Sequence, residues 1–304
     1  MPKIVKIRQE QVTPVDALQQ HLLFKRAQGS AETTLINYEY HISRFFRNNN
    51  DWDNISDRLI EYMSDPLKPN SYNVRLRYLK SFFKWSYAEG YIKKDPVKGW
   101  KTRKEESRIV DVPESVLQKL VEAPNQKTYS GLRDYAIILL QLDTGIRPKE
   151  ALSLSKEDIC FDQMLISIKS ANAKTRVARS LPISPVTAKA IKKLLVCHHE
   201  LWKTDYIFTT FEGNPMNKNS WGKRMELYSN HVGYKIRAYD LRHCFALYYL
   251  RAGGDVFSLQ RMMGHTNLSM TQKYLALTDQ DLKSQHAKNS PLNTITKSKR
   301  VRNV

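Results

Sequence analysis

Four side chains in the second half of the chain have the chemistry to work on one phosphate. Arg147 lies within Thr144-Gly145-Ile146-Arg147-Pro148-Lys149-Glu150, and Arg242 within Tyr239-Asp240-Leu241-Arg242. His265 follows Gly264, and Tyr274 comes nine residues after that histidine. An arginine fork is planar and permanently charged, which suits it to neutralising the non-bridging oxygens of a phosphate. A histidine can donate a further hydrogen bond, and a tyrosine hydroxyl can attack phosphorus to form a covalent intermediate. Each residue alone says little, because arginines often follow turns and a lone helical tyrosine is usually a core residue. The set is informative through the elements that must position it.

A helix over residues 131–142 is predicted to end at Gly145, whose freedom to take positive φ suits a helix C-cap. Pro148 fits the first turn of the next helix, so Arg147 stands at a helix start, where backbone N–H groups favour an anion. Gly264 is the expected C-cap of a helix beginning near Asp255. Ser269 reads as the N-cap of a further helix, with Gln272 at the capping-box position and Tyr274 in the second turn. This pair of helices around a tight turn also has the outline of a helix-turn-helix. His243 adjoins Arg242 but faces about 100° away around the helix, and is not expected to act at the same point. Gln163 to Lys169 and Arg176 to Ile183 read as two strands joined by a loop at Ser170 to Thr175, with Tyr206-Ile207-Phe208 as a third short strand.

The charge names the partner class. Forty-nine Lys+Arg against thirty Asp+Glu give a formal charge of +19, which points to a polyanion, because cationic side chains release the counterions condensed on nucleic acid. A generically basic or ribosome-associated protein is the alternative on charge alone. Cys160, Cys197 and Cys244 are scattered without CxxC spacing, against a disulfide framework or a structural zinc site. Cys197-His198-His199-Glu200 points its residues in different directions on a helix and reads as an exposed polar run. No stretch approaches the roughly 20 apolar residues of a membrane span and the start has no signal-peptide pattern, so a soluble, cytoplasmic protein is expected.

The first hundred residues carry helical periodicity over Val15 to Gln28, Thr33 to Asn48, Ser56 to Met63 and Ser71 to Glu89. In the last of these, Tyr72, Leu76, Leu79 and Phe83 form an apolar stripe, while Asn73, Arg77, Lys80 and Lys84 form a mostly basic one. No acidic residue falls between Ser71 and Tyr87. One side of this helix can pack while Arg77, Lys80 and Lys84 lie along a phosphate backbone, although a solvated face would look similar. The expected organisation is a helical domain over 1–98, a polar linker over 99–112, a mixed domain over 113–287, and a basic tail over 288–304 that is disordered or a partner-dependent arm. The fold class is mainly α with a small antiparallel β-sheet.

The three segments around Arg147, Arg242 and His265, with Thr271-Gln272-Lys273-Tyr274 after the last, closely resemble the tyrosine recombinases of the phage-integrase family. The resemblance covers both domains in outline and residues 113 to 280 in detail. It implies an N-terminal core-binding (SAM-like) domain that forms a clamp around duplex DNA with a C-terminal catalytic domain. It further implies a nucleophile at Tyr274 that leaves a 3′-phosphotyrosine and a free 5′-hydroxyl, with Arg147, Arg242 and His265 on the scissile phosphate. Because the covalent link conserves the bond energy, no cofactor is expected. The family's general acid is a lysine in the loop between two strands, which points to Lys174 ahead of Lys169 at the strand end. Glu150 matches an acidic position that orients the active-site cations, and could equally be a carboxylate favoured by the helix dipole. The family's working assembly, a homotetramer on two DNA sites formed from monomers in solution, is expected here too.

One position departs from the pattern. Tyr239 stands where the family carries a histidine, and a phenol with a pKa near 10 is a poor base at neutral pH, although it can donate a hydrogen bond. Tyr239 is therefore expected to be a donor or positioning group. Two other readings remain beside a site-specific recombinase for integration, excision, transposition or resolution. One is a type IB topoisomerase-like activity; the other is a DNA-binding protein of the same fold with impaired catalysis.

Overall fold

The computed structural model describes residues 12–105, 110–169, 177–272, 274, 283 and 286–295. The chain divides into two compact units, Met1–Glu106 and Ser107–Val304.

The first unit is built on four helices, α1 (Pro14–Ala27), α2 (Glu32–Phe46), α3 (Ile55–Met63) and α4 (Pro69–Ala88). Proline opens α1 and α4, where a missing N–H forfeits no helical bond, and the Thr13 side chain caps α1 by accepting from the Asp16 N–H. The core is rich in aromatics: Phe45, Phe46, Phe82 and Phe83 are buried with Leu59, Leu76 and Leu79. The expected apolar stripe of α4 thus faces this core. Its polar stripe is less free than the spacing suggested. Asn73 exchanges two 2.8 Å hydrogen bonds with the Arg103 backbone, and Lys80 donates to the Trp100 carbonyl. The Arg103 guanidinium also lies 3.9 Å from the Tyr72 ring centroid. Residues 99–105, expected to be linker, are thereby fastened to α4 by side-chain bonds that leave no periodicity in the sequence.

The second unit contains α5 (Glu114–Glu122), α6 (Tyr129–Thr144), α7 (Pro148–Leu152), a 3₁₀ turn (Lys156–Asp158), strands β1 (Ile159–Cys160), β2 (Leu165–Ile168) and β3 (Arg179–Pro182), then α8 (Pro185–Val196), α9 (Lys218–His231), α10 (Asp240–Arg251), α11 (Val256–Met263), α12 (Ser269–Gln272) and α13 (Leu292–Ile295). The strands form an antiparallel sheet in the order β1-β2-β3. Ile166 pairs with both Ile159 and Leu181, and all three are buried, so one face of the sheet closes on the core as the two-residue period requires. Helix α6, apolar on most sides, is the centre of this core, with α8 and α10 packed on it.

Three expectations change. The third strand is Ile159–Cys160; Tyr206-Ile207-Phe208 makes only the isolated bridge Ser155↔Tyr206, because Ile207 and Phe208 are buried without a continuous partner strand while Tyr206 is exposed. Helix α12 includes Ser269 and ends at Gln272, so Tyr274 follows the helix, its N–H donating to the Thr271 carbonyl at 3.0 Å. In the tail, Leu292–Ile295 forms a helical turn, with the Ile295 N–H donating to the Pro291 carbonyl at 3.0 Å.

Candidate active site

Two glycine turns build the site. Gly145 ends α6 in the left-handed region at φ 62°, and a Cβ there would stand 2.3 Å from the Phe245 ring. Gly264 ends α11 at φ 60°. These caps turn the chain sharply, so that Arg147 and His265 follow the two helices at once. Arg147 donates from Nη1 to Glu150 Oε1 at 3.0 Å and from Nη2 to the Gly264 carbonyl at 3.2 Å, tying one turn to the other. Glu150 also receives the Arg147 backbone N–H at 3.2 Å.

A second cation closes on the same carboxylate. Arg179 Nη2 lies 2.6 Å from Glu150 Oε2, and Arg179 Nε donates to the Met262 carbonyl at 2.9 Å. Register explains its direction: Arg179 pairs with Ile168 and is two residues from buried Leu181, on the inward face of β3. Burial works to raise the Glu150 pKa, but the hydrogen bonds and charges of Arg179 and Arg147 outweigh it and hold the carboxyl below its ordinary value. Glu150 is therefore the anion that makes two buried guanidiniums tolerable, a role its spacing from Arg147 only partly revealed.

Arg242, 0% exposed, reaches both turns from α10. Nη1 donates to the Gly145 carbonyl and Nη2 to the Met263 carbonyl, each at 2.6 Å, while Nη2 also donates to His265 Nε2 at 3.0 Å. Three of its five N–H groups are thus engaged, and the buried Nε–H has no partner. Burial, and then the Arg147 charge, bring its pKa down to about 10, so it stays cationic at neutral pH. His265 is defined by these contacts. Arginine can only donate, so Nε2 accepts and Nδ1–H donates to Thr271 Oγ1 at 2.9 Å. Burial, then the charges of Arg242, Arg147 and Arg179, lower its pKa to about 4. The expected phosphate donor is accordingly a neutral imidazole in this arrangement. An anion beside the arginines would cancel the charges that depress it and favour the protonated donor.

Tyr274 is 6% exposed and packs with Phe245, Ala246, Leu250, Leu259 and Met263, so α10 and α11 together fix its ring. Burial raises its pKa to about 12 against the pull of the Arg242 charge. Its hydroxyl lies 2.7 Å from His243 Nδ1, which corrects the expectation that His243 points elsewhere. Arg242 and His243 do diverge on α10, but Tyr274 comes from outside the helix and meets the His243 side. Tyr239 begins the same helix, 46% exposed, with its ring edge-on to His243 at a centroid distance of 5.2 Å.

The structure thus brings Arg147, Glu150, Arg242 and His265 into one network, with Tyr274 beside it. Lys174 lies outside the described residues. Its competitor Lys169 is paired with Glu157 at 2.7 Å and Asp158 at 3.1 Å. In the first unit Arg77 and Lys84 are exposed, whereas Lys80 is half-buried on the Trp100 carbonyl. Sequence reading missed three contributors: Arg179, His243 and Thr271. The first had a signal, an arginine at an inward position of an alternating strand; the second stands one helical turn beyond Tyr239; Thr271 had none. In the Cys197–Glu200 run, His198 is half-buried and bonded to the Ile207 carbonyl at 3.0 Å, not solvated as expected. No described helix is long and apolar enough to cross a membrane.

Comparison with known proteins places the chain in a family. Residues 111–281 match the phage integrase family. A curated "Tyrosine recombinase XerC" of Thermodesulfovibrio yellowstonii is 31% identical over 232 residues, 72% of this chain and 75% of that protein. "Tyrosine recombinase XerA" of Pyrococcus horikoshii is 26% identical over 299 residues, 94% of this chain and 98% of that protein. Among solved structures, the Tn1549 transposon integrase in complex with circular intermediate DNA shares the fold at a TM-score of 0.72 and 16% identity, covering 90% of this chain and 99% of that one. The chain belongs to the phage integrase family of tyrosine recombinases.

Proposed function

We propose that this recombinase cuts and rejoins duplex DNA at specific sites through a 3′-phosphotyrosine on Tyr274. The observation that carries the reading is the joining of Arg147, Arg242 and His265 across two glycine turns, with the Tyr274 hydroxyl at their side. After their internal bonds Arg147 keeps three N–H donors and Arg242 one Nη1–H besides its buried Nε–H, donors of the kind that grip the non-bridging oxygens of a phosphate. Such preorganised donors stabilise the charge that develops in a pentacoordinate transition state, each contributing on the order of 3 kcal/mol.

Tyr274 Oη attacks phosphorus in line as the bond to the 5′-oxygen breaks. Lys174, which falls between β2 and β3 in the sequence, protonates that leaving oxygen. Glu150 orients Arg147, and Tyr239 stands at the exposed rim beside His243. Rejoining reverses the steps with a new 5′-hydroxyl, so the conserved bond energy makes ATP unnecessary. Arg77 and Lys84, with a smaller share from Lys80, carry backbone contacts of the first unit. Recombination needs two paired sites and four subunits, and residues after Tyr274, including Leu275, Leu277 and Leu282, are the candidates for joining neighbouring protomers.

A DNA substrate nicked close to the scissile phosphate tests this, because loss of the short 5′-hydroxyl fragment prevents rejoining. Wild type is expected to accumulate a covalent protein–DNA band that Tyr274→Phe lacks. A site-bound protein that never forms the band would leave DNA binding as its activity.

A further inference from the structure

Resting on Tyr274 as the attacking group, the geometry points to His243 as the base that receives its proton, with His243 Nδ1 2.7 Å from Tyr274 Oη. A proton acceptor is needed there. The phenol is buried among apolar side chains, and burial makes it harder to ionise, so attack as a free phenolate would draw on a very small population. Tyr239, at the position where the family's histidine is missing, cannot fill the need because a phenol is no stronger a base than the phenol it would deprotonate.

Helix geometry supplies the substitute. Residues four apart share a helix face, so a side chain lost at position 239 can be replaced one turn later at 243. The backbone at Tyr239 is already in the helical region, with φ −78° and ψ −22°, so the relation holds from the first residue. Among the described residues, the titratable groups facing His243 are Tyr239 on its own helix, the ring of Tyr274 at 5.6 Å, and His265, whose electrostatics it influences. Arg242 is its neighbour in sequence but is directed into the two glycine turns. The nucleophile therefore stands between a cation that stabilises its negative charge and an imidazole that can take its proton.

The Tyr274 Oη–H bond breaks and its proton passes to His243 Nδ1, giving an imidazolium. The Oη–P bond forms, the P–O5′ bond breaks, and the departing 5′-oxygen takes its own proton from the general acid. On rejoining, the incoming 5′-hydroxyl gives its proton back to that same general acid as it attacks phosphorus, the Oη–P bond breaks, and His243 returns its proton to the leaving phenolate. Tyr239 then acts through its ring, which lies edge-on to His243 and limits where the imidazole can turn.

The test compares wild type, His243→Asn, His243→Ala and Lys174→Ala on the nicked substrate and on the same DNA with sulfur in place of the bridging 5′-oxygen. A sulfur leaving group needs no proton, so it relieves a missing general acid and does nothing for a missing base. Asparagine keeps a hydrogen-bond acceptor near the Nδ1 position without its basicity, which separates proton transfer from positioning. Both His243 variants should bind DNA within about threefold of wild type and form the covalent band roughly 10²–10⁴-fold more slowly. They should stay slow on the sulfur substrate, where Lys174→Ala recovers. His243→Asn cleaving like wild type, recovery of either His243 variant on sulfur, or loss of DNA binding in both would overturn the assignment. If wild type itself forms no adduct, the reading of Tyr274 falls, and the assignment falls with it.

Discussion

Replacing Glu150 by Gln should be one of the most damaging isosteric changes in the second unit. The carboxylate is 2% exposed and balances Arg147 at 3.0 Å and Arg179 at 2.6 Å. Glutamine keeps the volume and one carbonyl acceptor but no charge, leaving two buried guanidiniums without an anion. Removing one partner of a buried ion pair costs about 3–5 kcal/mol, a large part of the about 5–15 kcal/mol that stabilises a domain. For a unit of this size that corresponds to a fall in melting temperature of roughly 6–20 °C. The sign with pH follows from the depressed Glu150 pKa. The stabilisation is complete above the carboxyl's unfolded value and is lost as pH falls through the lower folded value. Thermal and urea unfolding of wild type and variant at pH 7 and in acid would show two curves that converge as pH falls. Adding Arg179→Gln to Glu150→Gln should recover part of the loss, since one unpaired charge leaves with it. A Glu150→Gln protein within about 1 kcal/mol of wild type at pH 7 would refute the view of Glu150 as the shared counter-anion.

Other expectations follow from single contacts. His21 is fully buried among Tyr38, Phe82 and Trp85 with neither ring nitrogen hydrogen-bonded; burial, then Lys25, lowers its pKa to about 4. Between pH 6.5 and 4 the unfolded chain takes a proton that the folded unit refuses, so stability falls with pH, by about 2 kcal/mol at pH 5. Urea unfolding of His21→Phe should lack this part of the pH dependence. Gly145→Ala combines a left-handed φ with a 2.3 Å approach to Phe245 and should cost about 2–4 kcal/mol, read by denaturant unfolding. Tyr239→Phe keeps the ring against His243 and should cleave within about threefold of wild type, whereas a loss beyond about tenfold would restore a role for the hydroxyl. Arg77→Ala and Lys84→Ala should each lower the slope of log affinity against log salt by about 1 in DNA-binding titrations.

Much of this was legible in the sequence. Spacing alone located helices α1 to α4 to within a few residues, since each carries an apolar stripe against a local core. Gly145 and Gly264 announced the two turns, because few other residues accept their positive φ, and the cations beside them were legible with them. What stayed hidden depends on packing between distant segments. Arg179 reaches Glu150 only because sheet register turns it inward, and His243 meets Tyr274 only because α10 and the segment after α11 are brought together. The attachment of residues 99–105 to α4 is of the same kind: the Asn73–Arg103 pair spans thirty positions and no local pattern predicts it.

The most direct test of the central claim is to digest the covalent complex formed on the nicked substrate and identify the peptide that carries the nucleotide. The account predicts one adduct, a 3′-phosphate ester on the Tyr274 hydroxyl, with a free 5′-hydroxyl on the released strand and no adduct in Tyr274→Phe. DNA attached at another residue, or through a 5′-phosphate, would contradict it.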